Sequence, residues 1–143
     1  MRRLIPFLLL LLLCACSIED RIERREDRLL GTWQIDRASF QDDDDLFGNN
    51  VTDEFRGDLV TFLPDYTLRY ETGDGLLFDG FWAIDAVRDL DDDTEFTLDA
   101  DFFDFAGRPA FRWLGTIQKL SGNNLNVTVF ERGGTLKLRW DKL

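Results

Sequence analysis

The sequence predicts an all-β fold, an eight-stranded antiparallel up-and-down barrel preceded by a signal peptide and a short helical tether. From residue 31 onward apolar and polar residues alternate, as Leu136, Leu138 and Trp140 do near the end of the chain. Such alternation is typical of antiparallel strands with one buried face. Turn-forming residues separate eight runs of this kind. Eight successive strands joined by short turns can close into a barrel and leave no free edge.

Residues 1–15 have the features of a secretory signal. Two arginines follow the initial methionine, and the apolar run at 5–13 is shorter than the roughly 20 residues that a membrane-spanning helix needs. The next four residues, Leu13-Cys14-Ala15-Cys16, resemble the lipobox of bacterial lipoproteins. That resemblance implies cleavage after Ala15 and attachment of acyl chains such as palmitate to Cys16. An ordinary cleaved signal and a buried core helix are the alternatives.

The chain has only two cysteines, and both lie in this region. Under the lipoprotein interpretation Cys14 leaves with the signal and Cys16 carries lipid, so the mature chain has neither a disulfide nor a free thiol. Two or more acyl chains would anchor it stably to a membrane. We therefore expect a lipid-anchored protein of the cell envelope, at the outer membrane. The acidic pair Glu19 and Asp20 resembles signals that send some lipoproteins to the cell surface, so the periplasmic and surface-exposed faces both stay open.

Residues 16–30 are predicted to form the tether, as a short solvated helix. The segment is dense in charges of alternating sign, and Asp20 and Arg24 are spaced to pair on one helical turn. Leu29 and Leu30 are expected to dock on the barrel domain, which spans residues 31–143. The eight strands are predicted near residues 31–40, 57–63, 66–72, 76–85, 94–102, 110–120, 124–131 and 135–141.

Glycine, asparagine and proline mark the turns between these strands. Sequences such as Gly73-Asp74-Gly75 and Arg132-Gly133-Gly134 favour tight hairpins, because glycine accepts positive φ at little cost. One six-residue pattern, G-x-W-x-I-D, occurs twice, at residues 31–36 and 80–85. In a strand the Trp and Ile of each copy would face one side. The glycine would let the chain bend tightly into the barrel.

Leu30-Gly31-Thr32-Trp33, placed after a short helix at the start of the first strand, resembles the G-x-W motif of the lipocalin and calycin barrels. The segments 62–67, 80–85 and 120–142 are similar to later hairpins of bacterial lipocalin-like domains. The resemblance covers nearly the whole mature chain and implies an up-and-down barrel, often with a small apolar ligand. It also implies a basic residue packed across Trp33, and either Arg139 or Lys142 could fill that place.

The inward face of the predicted barrel is rich in aromatic side chains. They would either line a site for a hydrophobic ligand or pack together as a core, because eight strands enclose a space that side chains can just fill. The residues predicted to line a ligand site are Trp33, Phe62, Tyr70, Trp82, Phe96, Trp113 and Trp140.

Composition excludes several kinds of chemistry. The chain has no histidine, which rules out a Ser-His-Asp triad and a histidine-based zinc site. Asp89, Asp91 and Asp93 have the spacing of calcium ligands, but the Gly and Glu of an EF-hand loop are missing. Asp99, Asp101 and Asp104 lie close in sequence without a motif that marks a catalytic acid. We therefore expect no enzyme activity, no catalytic residue, no metal and no cofactor.

The negative formal net charge, −11 for the whole chain, makes nucleic acid and anionic lipid surfaces poor partners. The expected function is non-covalent binding of a small hydrophobic molecule by a membrane-anchored, lipocalin-like barrel. The alternative is a protein-binding or inhibitory module with a filled barrel and no small ligand. In that role the partner would be bound by exposed aromatic residues beside the acidic loops, such as Phe47 and the segment 102–105.

Overall fold

A short helix precedes nine strands in the computed structural model, which describes residues 17–88 and 93–143. The elements in chain order are α1 (Ile18–Leu29), β1 (Gly31–Asp42), β2 (Asn49–Asn50), a 3-10 turn (Thr52–Phe55), β3 (Leu59–Phe62), β4 (Thr67–Glu71), β5 (Leu77–Arg88), β6 (Thr94–Phe103), β7 (Pro109–Leu120), β8 (Asn124–Glu131) and β9 (Gly134–Lys142). The predicted signal peptide and Cys16 lie outside the described residues.

Eight of the strands form a closed antiparallel barrel, as the sequence predicted. Each strand from β3 to β9 pairs with the next, and β1 pairs with both β3 and β9. The closing pair of β1 with β9 is long, running from Trp33 opposite Lys142 to Asp42 opposite Gly134, with one register shift between Ile35 and Arg37. The barrel therefore has no unpaired edge along this seam.

The ninth strand, β2, was not predicted. It is two residues long and pairs with the far half of β1, with Asn50 opposite Ser39. Only the first four residues of β1 pair with β3, which leaves the edge of β1 open beyond Gln34. Two asparagines in an acidic loop carry no alternation, so this pairing depends on the geometry of the barrel and not on a local pattern.

The alternating side chains divide as predicted between the interior and the outer surface. Every residue that the pattern placed inside is buried or half-buried, from Trp33 and Ile35 on β1 to Leu138 and Trp140 on β9. Aromatic rings occupy much of the interior and contact one another. Burial of this core stabilises the fold without help from a disulfide, because the described residues contain none.

Helix α1 covers one end of the barrel, in agreement with the predicted helix. Ser17 caps it, since its hydroxyl accepts a hydrogen bond from the Asp20 amide and the Asp20 carboxylate accepts one from the Ser17 amide. Leu29 is fully buried and Ile22 packs partly against the core. Within residues 17–88 and 93–143, no helix is long and apolar enough to cross a membrane.

Trp33 and its neighbour Lys142 join the helix to both strands of the closing seam, at one end of it. Its buried indole N–H donates to the Leu29 carbonyl at 2.7 Å, in the last turn of α1. Lys142 donates from Nζ to the Arg28 carbonyl at 3.0 Å and lies 5.1 Å from the centroid of the Trp33 ring. Of the two basic residues considered for this place, Lys142 occupies it, because Arg139 points outward and forms an ion pair with Asp36.

The repeated G-x-W-x-I-D pattern gives the same local arrangement twice. Trp82 donates from its indole to the Leu63 carbonyl at 3.1 Å, as Trp33 does to Leu29. Gly80 is required by close packing, since a Cβ there would lie 1.8 Å from the carbonyl oxygen of Asp101 on β6. Each copy therefore fixes a buried tryptophan to the backbone of an adjoining segment.

Replacement of Trp33 by phenylalanine should destabilise the fold more than the same replacement at Trp140. Both indoles are buried, but Trp140 Nε1 has no hydrogen-bond partner among the described residues. Trp33→Phe leaves the Leu29 carbonyl unsatisfied, which costs about 1–3 kcal/mol beyond the lost volume. Urea unfolding of the two variants measures the difference, and equal losses of free energy would show that the Trp33 hydrogen bond contributes nothing.

Candidate functional site

The aromatic residues predicted to line a ligand site are all buried in the barrel. Phe62 lies 5.8 Å from Trp82 and 5.9 Å from Trp140, measured between ring centroids. Trp113 contacts both Trp140 at 5.7 Å and Tyr70 at 5.3 Å. The structure thus brings these rings together against one another. Trp33 and Phe96 lie apart from this group, beneath the helix. That any of them contacts a ligand stays a prediction.

Asp58 is a buried carboxylate that the sequence did not single out. It is 3% exposed and directly precedes β3. Its side chain accepts hydrogen bonds from the Tyr70 hydroxyl and from the Gly73 amide, the latter at 2.7 Å. These contacts tie the start of β3 to the end of β4. The only local signal is its place after Gly57, whose φ is +85°. Such a turn does not reveal that the carboxylate points inward.

Tyr70 is the titratable group that this arrangement perturbs most. Burial raises the pKa of the Tyr70 phenol, and the hydrogen bond to the Asp58 carboxylate and its negative charge raise it further. The phenol therefore stays protonated in the folded protein well above its ordinary pKa of about 10. The Tyr70 hydroxyl therefore keeps donating its hydrogen bond to the Asp58 carboxylate across the neutral pH range.

An apolar recess lies on the outer face of the barrel, across β3 to β6. This outer groove has a volume of about 890 Å³. Its walls are Leu63, Phe81, Phe103 and Phe105, and its polar groups include Arg69 and Asp79. Phe105 is 97% exposed and Phe81 is 60% exposed. The groove has room for a small molecule, since ligand sites commonly enclose about 300–1,000 Å³.

Strand register explains how the groove forms. Thr67 is paired with Phe81, and Asp79 is paired with Phe103, so small and large side chains alternate on the outer face. The rings of Phe81 and Phe103 meet edge to face at 6.1 Å. Arg69 donates from Nε to the Asp79 carboxylate at 2.9 Å. The result is an apolar wall beside an exposed ion pair.

The turn between β6 and β7 forms the remaining wall and is held rigidly by Asp104. One oxygen of its carboxylate accepts the Ala106 amide at 2.9 Å and the Arg108 amide at 3.0 Å. These hydrogen bonds and the Arg108 guanidinium lower the pKa of Asp104. The turn therefore holds Phe105 in position, with its ring exposed among the residues that the structure describes.

Sequence reasoning noticed part of this groove. The segment 102–105 was predicted to expose aromatic residues for a protein interface, and the structure divides it, with Phe102 buried inside while Phe103 and Phe105 line the outer groove. Phe81 was not singled out, although an aromatic residue at an outward position of a strand was a usable signal. The groove itself depends on which strands pair, and a single strand does not show that.

The acidic residues considered for chemistry have structural partners. Arg112 contacts Asp99 at 2.5 Å and Asp101 at 3.5 Å, which joins β6 to β7 on the outer face. Of the aspartates considered for calcium, Asp89 and Asp91 lie outside the described residues. Among those that the structure describes, no group of three or more carboxylates is placed to hold a metal ion.

The acidic loop after β1 exposes two apolar side chains. Leu46 is 88% exposed and Phe47 is 83% exposed, beside the run Asp42–Asp45. No described side chain covers either residue at that exposure. This loop tip is a second apolar feature, separate from the outer groove.

Comparisons of the chain with protein-family models, with curated proteins and with solved structures found no match. The class of protein is therefore defined by its architecture, a closed eight-stranded antiparallel barrel with a helix across one end. The resemblance of its motifs to lipocalins stays a prediction.

The raised pKa of Tyr70 should make stability depend on alkaline pH. Above pH about 10 the unfolded chain loses a phenolic proton that the folded protein keeps, so the free energy of unfolding falls as pH rises. The slope should reach about 1.4 kcal/mol per pH unit at most. Tyr70→Phe should remove most of this slope, although it also lowers stability at neutral pH.

The matched control is Tyr66→Phe, because Tyr66 is the other tyrosine of the chain and its side chain is partly exposed. The negative charge of Glu26 also raises the pKa of Tyr66, but solvent screens this interaction at the exposed surface, so the variant should retain most of the slope. Urea unfolding between pH about 8 and 11 measures all three proteins. An unchanged slope in Tyr70→Phe would contradict the assignment.

Proposed function

We propose that this chain is a lipid-anchored, lipocalin-like binding protein of the cell envelope, which holds a small hydrophobic molecule non-covalently in the outer groove. The observation that carries the proposal is the groove itself, an apolar recess of about 890 Å³ with an ion pair at its side. A recess with apolar walls and a few convergent polar groups is the usual form of a small-molecule site.

The chemistry of the groove suggests the class of ligand. Phe81, Phe103 and Phe105 would pack against an apolar body such as an alkyl chain. The Arg69–Asp79 pair offers both a donor and an acceptor, so it suits a single hydrogen-bonding group such as a hydroxyl. We therefore favour a long-chain amphiphile with a small polar end.

The interior of the barrel is the less favourable place. Its aromatic rings contact one another, and the stacked pair Phe102 and Phe111 is only 4.4 Å apart between centroids. A ligand there would have to displace packed side chains, and overpacking or opening such a core costs several kcal/mol. The outer groove needs no such rearrangement.

Membrane anchoring would give the groove access to its ligand. The lipobox-like sequence at Cys16 is followed directly by the Ser17 cap of α1, so the lipid would attach close to the end of the barrel that the helix covers. Amphiphiles are concentrated at membrane surfaces. A binding protein fixed there, at the outer membrane, would meet them without release into solvent.

A protein partner is the second candidate, and the exposed tip of the acidic loop favours it. Leu46 and Phe47 combine apolar area with four neighbouring aspartates, a composition that suits a basic protein surface. In this case the barrel would serve as a scaffold and the outer groove would stay empty.

Photolabelling should locate the ligand. A long-chain fatty alcohol carrying a diazirine is added to membranes that contain the full-length protein, and the adducts are mapped by mass spectrometry. We expect adducts on the groove segments 61–69, 79–81 and 103–107. The double variant Phe81→Ser and Phe105→Ser should reduce labelling at least about fivefold, because exposed aromatic walls dominate such contacts.

The matched control replaces Phe47 and Phe130, which are also exposed but lie outside the groove. It should label like the wild type. Adducts on interior residues, together with a change in tryptophan emission, would place the site inside the barrel, because the tryptophans all lie there. Absence of specific adducts would reject the small-ligand proposal in favour of a protein partner.

The anchor has a separate test. Cells expressing the chain are grown with an alkyne analogue of palmitate, and the protein is isolated and conjugated to a fluorophore. Wild type should be labelled, and Cys16→Ala should lose the label and leave the membrane fraction. Cys14→Ala is the control and should stay labelled. Label that survives in Cys16→Ala would refute attachment at that residue.

A further inference from the structure

Four arginines form one flank of helix α1. Arg21, Arg24, Arg25 and Arg28 follow the spacing i, i+3, i+4, i+7, which places them along one side of a helix. The acidic residues of the helix lie on the other side, where Glu26 accepts a hydrogen bond from the Tyr66 hydroxyl at 3.2 Å. The apolar stripe between the two flanks packs on the barrel. We call the four residues the arginine flank.

The guanidinium groups of the flank are held in place. Arg25 lies over the buried Phe96 ring, with its Cζ atom 3.4 Å from the ring centroid. Arg21 lies over the same ring at 5.2 Å and donates to the Thr94 hydroxyl at 3.5 Å. A guanidinium has five N–H donors, so these contacts leave several donors for a ligand.

The flank borders an open recess that, among the residues the structure describes, these four arginines alone line. Its volume is about 280 Å³, and its walls are the four arginine side chains. Burial lowers the pKa of Arg25, and the positive charges of Arg21, Arg28 and Arg24 lower it further. The fold therefore gathers like charges that repel one another. An anion in the recess would offset that repulsion.

Several arginines of the barrel form ion pairs with carboxylates of the chain. Arg69 pairs with Asp79 at 2.9 Å, and Arg112 pairs with Asp99 at 2.5 Å. By contrast, no carboxylate in residues 17–88 or 93–143 lies within ion-pairing distance of Arg21, Arg25 or Arg28. The guanidinium groups of these three residues are therefore able to bind an anion that is not part of the described structure.

We propose that the arginine flank binds the phosphate groups of anionic phospholipids at the membrane surface. Arg21 is five residues from Cys16, so a lipid on that cysteine would hold the flank within about 20 Å of the headgroups. Guanidinium forks match phosphate oxygens in geometry and charge. The inference rests on the proposed membrane anchoring and is independent of the ligand in the outer groove.

The net charge of −11 does not oppose this contact. Charges farther away than about 10 Å are largely screened at ordinary ionic strength, so the local sign decides which surface approaches the headgroups. The apolar stripe of α1 is already occupied by the barrel, as buried Leu29 shows. The helix would therefore lie on the membrane through its arginines and would not insert into it.

The test uses the full-length protein in a non-ionic detergent and a soluble short-chain phospholipid, dihexanoyl phosphatidylglycerol. Arginine side-chain Nε–H signals are followed by NMR during titration. We expect the signals of Arg21, Arg25 and Arg28 to shift and saturate.

Replacing these three arginines by glutamine should weaken binding at least about tenfold, since each arginine near an anionic surface contributes separately. Titration of the wild type with no shift of these signals would overturn the proposal, whatever the variant does.

Three comparisons complete the design. Arg37, Arg56 and Arg132 are exposed and remote from α1, so their replacement by glutamine changes the net charge equally and should weaken binding less than about twofold. Dihexanoyl phosphatidylcholine, with the same acyl chains, should not shift the flank. Inorganic phosphate should bind more weakly than the phosphatidylglycerol.

An equal effect of the two triple variants would mean that net charge alone acts, and equally tight binding of inorganic phosphate would assign the recess to a free anion. Either outcome overturns the membrane proposal. The short-chain lipid reaches the flank from solution, so failure of Cys16 lipidation would refute the anchor and leave this measurement interpretable.

Discussion

The contact of Trp33 with the last turn of α1 is the constraint on which the closed barrel depends. Trp33 lies on β1 opposite Lys142 of β9, at one end of the seam that closes the sheet. Its indole satisfies the Leu29 carbonyl, and Lys142 satisfies the carbonyl of Arg28. Helix ends leave carbonyls without internal partners, and burying them unpaired is costly. The end of the helix, the first strand and the last strand therefore stabilise one another at this end of the seam.

The features that alternation encodes could be predicted from the sequence. Trp82 and Ile84 face inward because a period of two places them there whichever strands pair. The features that depend on pairing could not be predicted. Asp58 looks like any turn aspartate until β4 brings the Tyr70 hydroxyl to it. That Lys142 lies over Trp33 follows from their pairing across the seam, whereas alternation with the inward Trp140 already indicated that Arg139 faces outward. Anchoring at Cys16 rests on sequence alone.

The packing of the core and the position of the groove have a common cause. A barrel of eight strands encloses a space that large side chains can just fill, and here aromatic residues fill it. The short strands β3 and β4 carry small outward residues such as Thr61 and Thr67, while the longer β5 and β6 carry Phe81 and Phe103. The recess consequently lies where the outer surface changes from small to large side chains. The proposed ligand site therefore lies on the outer surface of the barrel and not in its interior.

The distribution of charge differs between the two flanks of α1 and the rest of the barrel surface. The chain is acidic overall, and one flank of α1 brings four arginines together near the residue expected to carry lipid. Evenly scattered arginines would be neutralised by neighbouring aspartates, as Arg139 is by Asp36. Because the arginines of α1 lie together on one flank of the helix, three of them are kept apart from the described carboxylates that would pair with them. The contact of Arg25 with the Phe96 ring holds its guanidinium away from the acids of the opposite flank. With the covered end of the barrel held against anionic headgroups, repulsion between the membrane and the acidic loops would turn those loops outward. Anchor, helix and surface charge would then together set one orientation of the barrel on the membrane.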